Sequence, residues 1–251
     1  SLDETHTEFS RCFSKTSLIL KCYNNFYMIN KKHDLNKILI YTCITGGYDI
    51  PTDNFPKKPG YDYILVSDQY IKTHSWKCIV SKFENMDHLD NTKKQRYIKT
   101  HPHELFPEYN VVIWIDANTS INNILYDYIE NNLGFSITFK NHPFRHCLYD
   151  EIHEVKILGK DNSELCDKLH DRYKSEGVPE KNGLYETNII ISHPNNPTVQ
   201  IIFNEWWKEI EQNSKRDQLS LNYILWKYNL TEFPHTAVSY NFMPKPHTPL
   251  R

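Results

Sequence analysis

Short runs of almost continuous apolar residues recur along the first half of the chain and stop at glycines or polar residues. Three of these runs are predicted strands, at 37–43, 61–66 and 110–115. A helical pattern at 92–100 separates the second run from the third, and Pro102 ends it. Strands that are apolar on both faces and alternate with helices are typical of an α/β sheet covered on both sides.

The second half of the chain repeats this alternation with two strands and two helices. The strands are predicted at 135–139 and 186–192, and the helices at 199–212 and 217–228. We therefore predict a single α/β, Rossmann-like domain over 37–251, in which a mostly parallel central sheet is flanked by helices. Residues 1–36 are polar and rich in Lys and Asn, and we predict a peripheral lead-in there.

Composition and charge exclude some classes of partner. The 251 residues include 29 Lys and Arg against 31 Asp and Glu, whereas a broad nucleic-acid-binding surface needs a clear basic excess. No apolar run approaches the length of a transmembrane helix. The six cysteines form no CxxC pair, and such scattered thiols are typical of reduced cytoplasmic proteins. We therefore expect a cytoplasmic protein without nucleic acid as a partner.

Glycines and polar side chains follow the predicted strands, where ligands bind in open α/β sheets. Thr45, Gly46 and Gly47 follow the first strand, and the glycines would let the backbone approach a ligand closely. Taken alone, a tight turn explains the two glycines better. Asp68 follows the second strand, and we expect it to contact the base or ribose of a nucleotide.

Asp116 is the sharpest single position because it directly follows the apolar run 111–115. With Asn118 two residues later, both side chains offer hard oxygen ligands of the kind that hold Mg²⁺ or Mn²⁺. Such an ion neutralises a diphosphate leaving group. The alternative is a helix N-cap or a turn made by Asp116, because Thr119 and Ser120 follow. Taken alone, the two interpretations are about equally good.

Basic residues precede that strand. Arg96 and Lys99 are three positions apart and therefore share one face of the predicted helix. Their charges could clamp a diphosphate. A solvated basic helix face is the commoner explanation of such a run.

Two acids in the second half of the chain are candidates for a catalytic base. Glu186 opens a predicted strand and Asp217 opens the last predicted helix. Taken singly, Glu186 could be a surface acid and Asp217 a helix cap. An inverting glycosyl transfer needs a carboxylate base for the acceptor hydroxyl as well as positive charge near the leaving diphosphate. The glycines, strand-tip acids and later acids occur in the order that such a site needs.

The same motifs, taken in order, resemble a known family. The segments are 41–49, 99–107, 114–118, 142–145, 149–151, 183–186 and 216–220. They look like the glycosyltransferase-like domain of the plant mucilage-related (TOD/MUCI) proteins, which has bacterial relatives in capsule and O-antigen synthesis. The resemblance implies a GT-A-like fold and a nucleotide-diphosphate sugar donor, with a UDP-sugar preferred.

Each candidate residue receives a role from the pattern and the resemblance together. The donor is expected to contact Thr45, Gly46, Gly47, Asp68, Arg96 and Lys99. Mn²⁺ or Mg²⁺ is expected on Asp116, Asn118 and a late histidine, with His235 preferred to His247. Asn118 stands where many GT-A enzymes carry a second Asp. The neutral amide of Asn118 makes the expected metal site less negative. Asp217 is the first choice as catalytic base and Glu186 the second, while the sugar or acceptor side is expected to contain His142, Arg145 and Glu151.

The expected reaction is transfer of a sugar, with inversion, to an oligosaccharide or glycolipid acceptor during synthesis of a surface polysaccharide. The resemblance is compatible with a location at the inner face of the membrane and with a place in a larger multidomain synthase. Two alternatives stay open: a non-catalytic carbohydrate-binding domain that keeps the fold, and a metal-dependent hydrolase. The sequence contains no Gly-x-Ser-x-Gly motif of the serine hydrolases.

Overall fold

The computed structural model describes residues 37–230 and residue 249. Within that part of the chain there are six strands and seven helices. The strands are β1 (Ile38–Ile44), β2 (Tyr61–Ser67), β3 (Lys77–Val80), β4 (Val111–Ile115), β5 (Ile137–Asn141) and β6 (Tyr185–Ser192). The helices are α1 (Asn91–Thr100), α2 (Pro102–Leu105), α3 (Asn123–Asn132), α4 (Leu148–Ile157), α5 (Ser163–Glu176), α6 (Pro197–Gln212) and α7 (Gln218–Lys227).

The six strands form one sheet in the order β3-β2-β1-β4-β6-β5. The first four strands of that order are parallel, and β6 is antiparallel to both of its neighbours. The predicted α/β domain with a mostly parallel sheet is thereby confirmed. The carboxyl ends of β1, β2, β4 and β5 and the amino end of β6 consequently lie at one edge of the sheet.

The central strands are apolar on both faces because each face carries its own hydrophobic core. In β4, Val112 and Trp114 belong to the core under α1, α6 and α7. Ile113 and Ile115 point the other way and belong to the core that α3 covers. Side chains of a strand alternate between the two faces, so two cores require an unbroken apolar run.

Helix α6 shows how local sequence starts an element that the core then stabilises. The Asn196 side chain caps it by accepting hydrogen bonds from the backbone N–H groups of Thr198 and Val199. Pro197 occupies the first turn, where its missing N–H costs nothing. Its buried stripe is spaced at three and four residues, as an amphipathic helix requires, and consists of Val199, Ile202, Phe203, Trp206 and Ile210.

Several elements differ from the sequence predictions. The motif segment 149–151 lies in the first turn of α4. Strand β3 and helices α2, α3, α4 and α5 were not predicted. Strand β3 is a short edge strand whose side chains are mostly exposed, and α5 buries only three of its 14 residues, so neither shows a strong apolar pattern. The predicted lead-in, 1–36, lies outside the described residues.

The cap of α6 can be tested by Asn196→Ala. We expect this variant to lower the free energy of unfolding by about 1 kcal/mol, because two N–H groups of the first turn lose their acceptor. Urea denaturation measures the change. The matched control is Asn195→Ala at the neighbouring exposed position, which we expect to change stability by less than about 0.5 kcal/mol. Equal effects of the two variants would contradict the capping role.

Candidate functional site

A cleft of about 380 Å³ lies at the carboxyl ends of β1 and β4. Its walls also come from the start of α1 and from the loops α4–α5 and α6–α7. The lining residues are Cys43, Ile44, Thr45, Gly46, Tyr48, Asp49, Asn91, Thr92, Gln95, Arg96, Asp116, Ala117, Lys160, Lys215 and Arg216. This edge of the sheet is where ligands bind in open α/β folds.

The loop after β1 is held in place by the end of β2 and by the start of α1. The backbone N–H of Gly46 donates to Asp68 Oδ2 over 2.7 Å, and Thr45 Oγ1 donates to the carbonyl of Asn91 over 2.6 Å. Gly46 has φ +63°, and a Cβ placed there would lie 2.0 Å from Asn91 Nδ2. A glycine is therefore needed both for the backbone angle and for the close approach to α1. Asp68 contributes to the site by fixing this loop.

Asp116 lies at the tip of β4, and its side chain is 32% exposed in the cleft. Its Oδ1 accepts a hydrogen bond from Trp114 Nε1 at 3.0 Å and lies 3.8 Å from Lys99 Nζ. Its backbone N–H donates to the carbonyl of Asn188, which extends the pairing between β4 and β6. Asp116 does not cap a helix, because α3 begins later and Asn122 caps it. The backbone N–H of Thr119 donates to the carbonyl of Asp116, so a turn follows the strand, and the metal-binding role of Asp116 stays a prediction.

Beneath Asp116, the ammonium of Lys99 is buried, with the residue only 1% exposed. Lys99 Nζ lies 2.5 Å from Asp217 Oδ2 and between the rings of Trp114 and Trp206, at 5.2 and 6.0 Å from their centres. Burial alone would raise the pKa of Asp217, but the charges of Arg96 and Lys99 outweigh burial and hold that pKa well below its usual range. Burial lowers the pKa of Lys99, and the negative charge of Asp217 opposes that shift.

The two residues predicted to clamp the diphosphate, Arg96 and Lys99, therefore differ in their access to the cleft. Arg96 borders the cleft, with its Nε 3.2 Å from Asp217 Oδ1, whereas Lys99 does not line the cleft. Asp217 is also buried and lies outside the cleft lining, although we expected it to act on an acceptor hydroxyl. In this geometry Asp217 serves to hold Lys99 and Arg96. Its predicted role as the base would require this ion pair to open first.

Glu186 lies at the same edge of the sheet as Asp116. It follows Tyr185 at the start of β6, and its Oε2 lies 2.9 Å from Lys140 Nζ. Two residues later in β6, Asn188 has a buried Oδ1 without a hydrogen-bond partner among the described residues. Alternation along a strand places Glu186 and Asn188 on one face of the sheet. Of the two predicted bases, Glu186 is the more accessible, with 19% side-chain exposure against 3% for Asp217.

His142, Arg145 and Glu151, expected on the sugar or acceptor side, contact one another. His142 Nδ1 accepts from the backbone N–H of Arg145 at 2.9 Å, and Arg145 Nε donates to Glu151 Oε2 at 2.5 Å. Burial, followed by the charge of Arg145, lowers the pKa of His142 to about 4. These contacts attach the loop after β5 to the first turn of α4. Phe144, in the same loop, is 83% exposed.

The described residues do not by themselves form the expected Mn²⁺ or Mg²⁺ site. Among residues 37–230 and 249, no group of three His, Cys, Asp or Glu could hold a metal ion. Asp116 offers one carboxylate, one of whose oxygens is already bonded to Trp114, and Asn118 is buried. Mg²⁺ demands near-octahedral oxygen ligation, so this set needs further ligands. The two late histidines, His235 and His247, lie outside the described residues, and metal binding stays a prediction.

Three cationic residues of the cleft had no role predicted from the sequence: Lys160, Lys215 and Arg216. Lys160 stands in a loop between two helices that were not predicted, so no sequence signal placed it near β4. Lys215 and Arg216 directly precede Asp217, and that adjacency was the available signal. All three reach the cleft only because α4, α6 and α7 pack on the same face of the sheet.

Comparison with protein families assigns the chain. Residues 60–244 match the TOD1/MUCI70 glycosyltransferase-like domain, which is more than half of the sequence. The chain belongs to the TOD1/MUCI70 glycosyltransferase-like family. The resemblance expected from the motifs is thereby confirmed. The match begins just before β2. Strand β1 and the glycine loop after it therefore precede the matched part of this TOD1/MUCI70 chain.

Two solved glycosyltransferase structures have been compared with this TOD1/MUCI70 chain. The apo bifunctional glycosyltransferase WbbM is 12% identical with a TM-score of 0.39; the alignment covers 78% of this chain and 38% of WbbM. The apo mouse xyloside xylosyltransferase 1 is 11% identical with a TM-score of 0.40, over 77% of this chain and 82% of that enzyme. This chain thus spans well under half of WbbM. No curated protein sequence matches the chain.

None of the helices within 37–230 is long and apolar enough to cross a membrane.

The buried ion pair can be tested by Asp217→Asn. We expect a loss of about 3–5 kcal/mol in the free energy of unfolding at pH 7, because the charges of Lys99 and Arg96 would be left uncompensated. The folded-state pKa of Asp217 is depressed, so its contribution is present above the unfolded pKa and is lost as pH falls. The difference from the wild type should therefore shrink only below about pH 4.

Urea denaturation between pH 3 and pH 8 measures both effects. Asp171→Asn is the control, since that carboxylate is 82% exposed and should contribute less than about 0.5 kcal/mol. Replacing the pair by Lys99→Met with Asp217→Leu should recover part of the loss, because apolar side chains can substitute for a buried ion pair while Arg96 still lacks its partner. A loss at Asp217 as small as that at Asp171 would contradict the structural role.

The close approach at Gly46 can be tested by Gly46→Ala. We expect it to cost about 1 kcal/mol more than Gly60→Ala, since both glycines have positive φ but only Gly46 has a neighbour within 4 Å of the added Cβ. Thermal unfolding measures the difference. Adding Asn91→Ala should remove this excess, because the side-chain atoms of Asn91 nearest to the new Cβ are then absent. An excess that persists in the double variant would show that the clash with Asn91 is not its cause.

Proposed function

We propose that the chain is a glycosyltransferase that moves a sugar from a nucleoside-diphosphate sugar, with a UDP-sugar preferred, to a glycan acceptor. The observation that carries this proposal is the match of residues 60–244 to a glycosyltransferase-like family. The position of the cleft, beyond the carboxyl ends of parallel strands, supports it. By the same resemblance, we propose an oligosaccharide or glycolipid acceptor and a role in surface polysaccharide synthesis.

The reaction requires two kinds of group. The acceptor hydroxyl attacks the anomeric carbon and loses a proton to a base, while the bond to the nucleoside diphosphate breaks and negative charge grows on that leaving group. The cleft contains cations that could meet this charge, and Asp116 reaches the same space. Neither Glu186 nor Asp217 lines the cleft. As the base for an inverting transfer we propose Glu186, because it is more exposed and pairs with one cation, Lys140, whereas Asp217 is buried against two.

The experiment is a donor-hydrolysis assay with a panel of nucleotide sugars, in Mn²⁺ and in EDTA. Release of free nucleoside diphosphate measures turnover without any assumption about the acceptor. We expect release from one donor, reduced at least about tenfold by Asp116→Asn, which corresponds to about 1.4 kcal/mol of transition-state stabilisation. The control is again Asp171→Asn, whose carboxylate is exposed on α5 and should leave the rate unchanged. The EDTA arm tests the predicted divalent cation.

A binding domain without turnover is the second candidate. The observation in its favour is that Asn118, the second residue of the expected metal motif, is buried and lies outside the cleft lining. A thermal shift with one donor but no release of nucleoside diphosphate would favour this candidate. If no donor causes a thermal shift and no donor releases nucleoside diphosphate, both the transferase and the binding domain are contradicted.

A further inference from the structure

Three cations line the cleft and form no close ion pair with a described carboxylate, although the charge of Arg216 also helps to lower the pKa of Asp217. Lys160 comes from the loop between α4 and α5, and Lys215 and Arg216 come from the loop between α6 and α7. Within the described part of the chain, no ion pair is formed by any of the three, and the buried Nε of Arg216 has no hydrogen-bond acceptor. Unpaired cations that converge on one cleft indicate a site for an anion.

The two loops that carry these three cations are joined to each other before any ligand binds. Ser214 Oγ donates to Asp161 Oδ2 over 2.5 Å, which joins the two loops immediately beside Lys160 and Lys215. The backbone N–H of Arg216 donates to the same Ser214 oxygen over 3.0 Å. A site that is already ordered loses less conformational entropy on binding than one that must form.

The cations that we expected to hold the diphosphate are occupied elsewhere. Lys99 is buried against Asp217, and Arg96 lies 3.2 Å from the same carboxylate. Asp217 therefore neutralises much of their charge at the floor of the cleft. The wall formed by the two loops keeps its positive charge, and the cleft as a whole has four basic and two acidic lining residues. The excess of positive charge lies with the unassigned cations.

We propose that Lys160, Lys215 and Arg216 bind the donor diphosphate directly and supply its counter-charge, so that a nucleoside diphosphate binds here without a divalent cation. Arginine can hold two phosphate oxygens with its planar fork, and the lysines act as point charges beside it. The identity of the anion as a nucleoside diphosphate rests on the proposed function. The proposal differs from the metal ion expected from the sequence, because among the described residues no group of three His, Cys, Asp or Glu side chains surrounds Asp116.

The test is a calorimetric titration of the whole chain with UDP, ADP, GDP, CDP and TDP, each in EDTA and in Mn²⁺. We expect the Kd of the preferred nucleotide to differ less than about threefold between EDTA and Mn²⁺, and the matching monophosphate to bind more weakly. The triple cleft variant, Lys160→Gln with Lys215→Gln and Arg216→Gln, should raise the Kd of the nucleoside diphosphate by roughly tenfold per lost cation. The Kd of the nucleoside without phosphate should not change.

Two further variants keep the test interpretable. Lys168→Gln with Lys174→Gln and Lys208→Gln removes the same charge from exposed positions outside the cleft, and should leave the Kd unchanged. Arg216→Lys keeps the charge but loses the planar guanidinium. It should raise the Kd of the nucleoside diphosphate by a smaller factor than the triple cleft variant does. Circular dichroism checks that each variant is folded.

The outcomes separate this inference from the proposed function. Binding to the wild type only in Mn²⁺, or equal binding to the triple cleft variant, would overturn the inference and leave the transferase proposal in place. Absence of binding of every nucleoside diphosphate to the wild type, in either condition, would overturn both. Metal-free binding that is lost only in the triple cleft variant is the result that the structure leads us to expect.

Discussion

The ion pair between Lys99 and Asp217 is the constraint on which the geometry of the cleft depends. A lysine ammonium that is 1% exposed would cost several kcal/mol if it were left without a partner. Lys99 stands on α1, Asp217 precedes α7, and the rings of Trp114 and Trp206 flank the charge from β4 and α6. Two helices and a loop must therefore meet β4 at one point, and that point is the floor of the cleft.

The pairing of Lys99 with Asp217 also decides which cations stay available for a ligand. Asp217 balances Lys99 and Arg96, and Asp116 is held from below by Trp114 and Lys99. Lys160, Lys215 and Arg216 form no close ion pair among the described residues, and they stand on the two loops that Ser214 and Asp161 join. The molecule thus separates a neutralised floor, which maintains the fold, from a positive wall, which is suited to an anion.

Much of the sheet could be predicted from the sequence, but less of the site. Strands β1, β2, β4 and β6 were found to within two residues because each contains a run of apolar residues that the two cores require. Helix α5 was missed because it buries only three residues. In the site, Gly46 and Asp116 were recognised because they stand at strand ends. The local sequence around Lys99 and Asp217, by contrast, does not reveal that 118 positions separate two members of one ion pair.

The sequence by itself determined the α/β class, the order of the strands along the chain and the family, because apolar periodicity and motif order are local properties. Only the tertiary structure decided which charges are paired and which face the cleft. A basic residue in a helix looks the same in sequence whether it is solvated, as we considered for Lys99, or buried. Its role depends on the carboxylate and the rings that distant segments bring to it, and packing alone supplies those partners.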